Sequence, residues 1–263
     1  MKTNKDRQAG LSSHIYRLLL ATGAAALLTL SACSGGGNYG AGSTQPTGNA
    51  GAAMITLTDA PGDFLSYVVN VVSLQLTRSD GTVVETVSTA TQVDFAQLVN
   101  LSEVISAAQV PSGKYVAASM TIDYGDGTAA DPNAMIVVDN GAGGLTVPAG
   151  NIINGSTSNP LVAPNNQITL TLQLPANTPL VITPGTVANL ALDFDLAASN
   201  AVTPAMPSST TAASSVMVTV NPVLSASLTP DTTKQIRVRG PLVSVTNTAS
   251  NTSYTVSVRP FFN

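Results

Sequence analysis

Val69-Asn70-Val71, then Val72-Ser73-Leu74-Gln75-Leu76-Thr77, alternates apolar and polar residues, and Ser79-Asp80-Gly81-Thr82 reads as a turn into Val83-Val84. Period-two alternation sends successive side chains to opposite faces, the mark of a half-buried β-strand. Met54-Ile55-Thr56-Leu57-Thr58 repeats the pattern upstream. Downstream, further strands are expected over Lys114 to Asp123, Ala134 to Asp139, Gln167 to Leu174, Thr186 to Leu196 and Val216 to Ser227. Turn clusters such as Gly125-Asp126-Gly127, Asn140-Gly141 and Pro184-Gly185 separate them. One window differs. Phe95, Leu98, Val99, Leu101 and Ile105 recur at three and four, which predicts a short helix from Ala96 to Ala108. The expected fold is all-β, a β-sandwich with that one short helix.

The flanks carry other information. Lys2, Lys5, Arg7 and Arg17 precede an apolar run from Leu18 to Leu30, and Leu30-Ser31-Ala32-Cys33 follows. A basic region, a short apolar region and small residues form a secretory signal. About 13 apolar residues are too few for a permanent membrane-spanning helix. Leu30 to Cys33 resembles the bacterial lipobox. That resemblance implies cleavage before Cys33, lipid on its thiol and acylation of the new amino terminus. Two or three acyl chains, at about 0.8 kcal/mol per buried CH₂, make a stable anchor. Ser34, where an Asp tends to retain such proteins in the inner membrane, implies the outer membrane. The expected divisions are residues 1–32 as signal, 33–51 as a flexible Gly/Ser/Thr tether, 52–229 as the sandwich, and 230–263 as a C-terminal β-hairpin. Ile236 to Val245 would form its first strand and Tyr254 to Arg259 its second. That hairpin either docks on the main domain or opens a further module. Residues 197–215 read as a long low-complexity loop.

Charge and composition narrow the function. Loss of residues 1–32 removes the single His, four of ten bases and one of fourteen acids. Six bases then face thirteen acids, a net charge of −7. Nucleic acid is not an expected partner. Without His, triads that depend on it are excluded, and one Cys allows no intrachain disulfide. A serine nucleophile would need Lys114 or Lys234 as base, and nothing in their sequence context pairs them with one. The chain is expected not to be an enzyme. Trp is absent and aromatics are 4%, which weakens a stacking platform for sugars.

Four motifs lie in order: Leu57-Thr58-Asp59-Ala60-Pro61-Gly62-Asp63, Val93-Asp94-Phe95 with Leu98, Val110-Pro111-Ser112-Gly113-Lys114-Tyr115, and Leu192-Asp193-Phe194-Asp195-Leu196. Together they resemble the bacterial family called domain of unknown function 4382. The resemblance implies a secreted lipoprotein with a prealbumin-like fold and no established activity. Arg239 to Val245 resembles, more weakly, the first strand of domain of unknown function 5666.

Asp59 and Asp63 are the candidate site residues. Their carboxylates either order the Pro61-Gly62 turn through backbone amides or supply oxygens to Ca²⁺. Asp123, Asp126 and Asp131 lack the EF-hand spacing and read as a solvated acidic turn. Arg237 and Arg239 share one strand face and read as solvated edge charges. The expected partners are the membrane, through the lipid anchor, and an envelope protein or glycan. No cofactor is required, with Ca²⁺ the candidate that the acids offer.

Overall fold

The computed structural model describes residues 49–60, 62–87, 89–204 and 216–258. The leader, Cys33 and most of the tether lie outside the described residues.

In chain order the strands are β1 (Ala50–Thr58), β2 (Phe64–Arg78), β3 (Val83–Glu85), β4 (Thr91–Asp94), β5 (Leu101–Pro111), β6 (Gly113–Asp123), β7 (Met135–Val138), β8 (Leu145–Thr146) and β9 (Ile152–Asn154). They continue with β10 (Gln167–Gln173), β11 (Leu180–Ile182), β12 (Val187–Phe194), β13 (Asn200–Thr203), β14 (Met217–Val220), β15 (Leu224–Ser227), β16 (Gln235–Arg237), β17 (Leu242–Asn247) and β18 (Thr252–Val256). A single turn of α-helix, α1 (Leu196–Ser199), joins β12 to β13. The protein is all-β, as its alternation predicts.

One sheet runs β15-β12-β1-β5-β16. A larger one runs β10-β6-β2-β7-β8, with β3, β4 and β11 attached to it. Alternate residues of both sheets enter one continuous core: Ile55, Leu57 and Leu192 from the first, Leu74, Met120 and Ile122 from the second, each 1% exposed or less. β13, β14 and β9 form a third, small sheet, and among the described residues β17 pairs only with β18. The core includes the aromatic pair Phe95–Phe194, with ring centroids 4.6 Å apart.

The helix expected over Ala96 to Ala108 is corrected. A 3₁₀ turn covers Phe95–Val99 and β5 begins at Leu101. Phe95 and Leu98, three apart, are both fully buried on that one tight turn. Beyond it Ser102, Glu103, Val104, Ile105 and Ser106 are all buried, so no polar face shows the alternation of a strand. Val104, Ile105 and Val110 are β-branched and suit the pleat, and antiparallel pairing with β1 satisfies this backbone.

The expected first strand of the hairpin is also split. Gly240, at φ +158°, and Pro241 interrupt it. β16 joins β5 in the five-stranded sheet, while Leu242–Asn247 pairs with Thr252–Val256. Part of the expected loop over residues 197–215 is ordered structure, in α1 and β13.

Candidate functional site

β1 ends at Thr58, and Asp59 follows with no exposed surface. Its main-chain N–H donates to the Leu98 carbonyl at 3.3 Å, which ties it to the 3₁₀ turn. Its Oδ1 accepts the N–H of Leu196 at 2.9 Å, which ties it to the end of β12 and the start of α1. Asp195 caps that same turn, accepting the Ala198 N–H at 2.9 Å. The Asp59 side chain therefore orders less of its own turn than expected. Apart from the Ala60 amide, its backbone donor lies 137 positions away. Proximity in space, which the sequence does not display, selects that donor.

Burial pushes the Asp59 carboxyl up to about 7, against the opposing pull of the Leu196 and Ala60 amides, and Asp193 and Asp195 add to the rise. Its Oδ2 is buried without a hydrogen-bond partner among the described residues. Asp63, by contrast, lies on the surface, where its carbonyl accepts the Asp139 N–H at 2.9 Å. One candidate acid is buried and the other exposed. Among the described residues no three His, Cys, Asp or Glu side chains gather as a metal site.

Lys234 completes the joint. Its ammonium donates to Thr58 Oγ1, to the Asp59 carbonyl at 2.6 Å and to the Leu98 carbonyl at 3.4 Å. Thr58 is the register partner of Asp193 on β12. Burial raises the Asp193 carboxyl, and the Lys234 charge partly offsets this. With its ammonium engaged by three oxygens, Lys234 is poorly placed to act as a base.

Arg237 and Arg239 are not free edge charges, which corrects the expectation. Arg237 Nη2 and Arg239 Nε each donate to the Glu103 carboxylate at 2.6 Å, and Glu103 is 1% exposed. Glu103 and Arg237 are neighbours across the β5–β16 ladder, so the sheet itself brings them together. The sequence held only one trace of this: four of the six bases after residue 32 lie at Lys234 or beyond.

The acidic turn also differs from a fully solvated one. Asp123 is 5% exposed. Its Oδ1 accepts the Gly125 N–H and the Asn166 amide, both at 2.7 Å, and its Oδ2 accepts the Gln167 amide at 2.6 Å. Asp126 is exposed and caps Thr128. Asp131 accepts the Asn70 amide at 3.1 Å, and desolvation, with Asp123 and Asp126 nearby, raises its carboxyl.

Three of the four sequence motifs thus meet at Asp59: its own turn, the Phe95–Leu98 turn and the Asp193–Leu196 segment. The fourth is the tight β5–β6 connection, where the Tyr115 hydroxyl donates to the Pro111 carbonyl at 2.7 Å. Residues 50–206 match the family described as Domain of unknown function (DUF4382). The chain belongs to this family. No curated protein and no solved structure matches it. The DUF4382 match takes in Asp59, Glu103 and Asp193 but stops before β14, β15 and β16. Lys234, Arg237 and Arg239, which hold this site from outside, therefore lie beyond the DUF4382 segment.

Proposed function

We propose that this DUF4382 protein is an outer-membrane lipoprotein, held by lipid on Cys33, whose β-rich body is a non-catalytic binding or scaffolding module of the cell envelope. The observation that carries the reading is Leu30-Ser31-Ala32-Cys33 at the end of a basic and apolar leader. Ser34 supports the outer membrane as destination. The Gly/Ser/Thr-rich composition of the stretch between Ser34 and β1 suits a tether between the anchor and the domain. The non-catalytic reading is supported by Lys234, whose ammonium is held by three oxygens, and by Asp59, whose carboxyl is fully buried. The net charge of −7 after residue 32 favours partners other than nucleic acid.

The test is metabolic labelling with palmitate, followed by detergent phase partition and membrane fractionation. The full chain should take up label and enter the detergent phase with the outer membrane, and Cys33→Ala should do neither. Equal labelling of the two would refute the anchor.

A further inference from the structure

The outward face of β2, β6 and β10 carries uncharged polar side chains in cross-strand rows. Ser73, Thr121 and Thr169 stand side by side in one row, and Gln75, Ser119 and Thr171 in the next. The intervening row, Leu74, Met120 and Leu170, is buried, at 0%, 0% and 9% exposure. The pleat therefore sorts hydroxyls and amides outward. The Thr121 and Thr169 hydroxyls are 2.9 Å apart.

A further row, Gln92, Asn70, Asp123 and Gln167, crosses four strands from β4 to β10. Its β4 end opens into a cleft of about 370 Å³ that Asn70, Gln92, Asp123 and Asp131 line together with Val72, Ala90 and Pro132. That volume falls in the range of about 300–1,000 Å³ typical of small-ligand sites.

The hydrogen-bonding inventory of the cleft defines its ligand. The Asp123 carboxylate is already held by three donors. The Asn70 amide nitrogen and Asp131 Oδ1 are bonded to each other. The Asp131 carboxyl also meets the Asp126 amide, and the cleft further presents the exposed Gln92 amide and the Asn70 carbonyl oxygen. This set has more acceptors than donors, with one carboxylate at its rim. Anionic ligands are repelled by it, and an apolar ligand would leave its amides without partners. Vicinal hydroxyls, each both donor and acceptor, fit it, and the aliphatic side chains of Val72, Ala90 and Pro132 can meet the C–H face of a sugar ring.

We propose that this face binds a neutral glycan, with one sugar unit in the Gln92–Asn70–Asp131 cleft and its neighbours along the Ser73–Thr121–Thr169 row. The proposal rests on the reading of the domain as a non-catalytic envelope binding module and names its ligand class. No Trp is needed, because contact is spread over rows about 7 Å apart along the strands rather than concentrated on one stacking face.

The test is native electrophoresis of the full chain in gels cast with β-glucan, xylan, mannan or galactan, and with alginate as the anionic comparator, each with and without EDTA. At least one neutral polysaccharide should retard the protein, EDTA should leave the retardation unchanged, and alginate should not retard it. Gln92→Ala and Thr169→Ala, both at exposed positions, should each weaken retention about 2- to 10-fold, the loss expected for one hydrogen bond. Thr252→Ala, on the separate two-stranded β17–β18 sheet, should not. Absence of retardation in all four neutral gels overturns the proposal, as does retention undiminished in both variants, retention abolished by EDTA, or equal retention by alginate. Palmitate labelling at Cys33 reports the anchor separately. Release of reducing ends from a retained polysaccharide would overturn the non-catalytic reading while leaving the binding face in place.

Discussion

Lys234 donates to the backbone carbonyl of Asp59 at 2.6 Å, across 175 positions of sequence. The contact closes a loop between the first motif of the DUF4382 segment and a residue beyond its match. It also explains why the end of β1 needs the chain that follows β15. Thr58, Asp59 and Leu98 all present oxygens to the same ammonium.

Lys234→Met keeps the aliphatic stem and removes the three donations. Hydrogen bonds to a charged group contribute about 1.5–3 kcal/mol, so the expected loss is of that size. It should appear as a lower urea midpoint at unchanged slope. Lys114→Met, at an exposed position on β6, should stay within about 0.5 kcal/mol of the parent. Similar stability in the two variants would show that the Lys234 contacts contribute little.

Glu103 and its two arginines should respond asymmetrically. The Glu103 side chain is 1% exposed, whereas those of Arg237 and Arg239 are 26% and 38% exposed. The combined Arg237→Ala, Arg239→Ala protein strips both ion pairs from a buried carboxylate, and about 3–5 kcal/mol should be lost. Adding Glu103→Met removes that charge and should recover much of the loss. A triple variant less stable than the double would contradict the account.

Asp59 should make stability fall as pH rises through the weakly acidic range. Its carboxyl is raised by burial from 3.8 to about 7. Below about pH 4 the folded and unfolded chains both hold the proton, and the advantage of the protonated fold is fully present. Between about pH 4 and 7 only the folded chain holds it, so stability drops with pH, and above about 7 the slope vanishes. Asp59→Asn keeps an oxygen for the Leu196 N–H but cannot titrate. Relative to the parent it should gain stability from pH 4 to 7, by the order of a few kcal/mol. Asp193, raised in the same direction, should leave a smaller slope in the variant. Identical pH profiles would show that Asp59 does not titrate in this window.

Gly125 and Gly81 separate two costs of a side chain. Both have positive φ, +81° and +85°. A Cβ on Gly125 would lie 2.0 Å from the Pro132 carbonyl oxygen, whereas one on Gly81 would meet nothing within 4 Å. Gly81→Ala should lose about 1–2 kcal/mol for the left-handed backbone alone. Gly125→Ala must also displace the loop beside the polar cleft and should lose about 3 kcal/mol or more. Thermal melts of the two proteins measure the difference, and equal losses would mean the loop yields freely.

Alternation in β2, β6 and β10 was legible because each of these strands has one face in the core and one facing outward, so burial imprints period two directly on residue type. The expected strands from Lys114, Ala134 and Gln167 begin and end within a residue or so of β6, β7 and β10 for the same reason. β5 was illegible because both of its faces are covered around Glu103, and a strand buried twice shows no period. The turn chemistry of Asp123 and Gly125 was likewise local and readable.

Residues close together in the chain carry the all-β class, the positions of β1, β2, β6, β7, β10 and β12, the family motifs and the lipobox-like leader, whereas the one strand expected over Val216 to Ser227 is two, β14 and β15, in different sheets. Folding alone brings Asp59 to Leu196 and Lys234, Glu103 to Arg237 and Arg239, and Gln92, Asn70, Asp123 and Gln167 into one row. Those contacts are set by strand order and register. A charge or a buried carboxylate carries no mark in sequence of which distant partner the fold will place beside it.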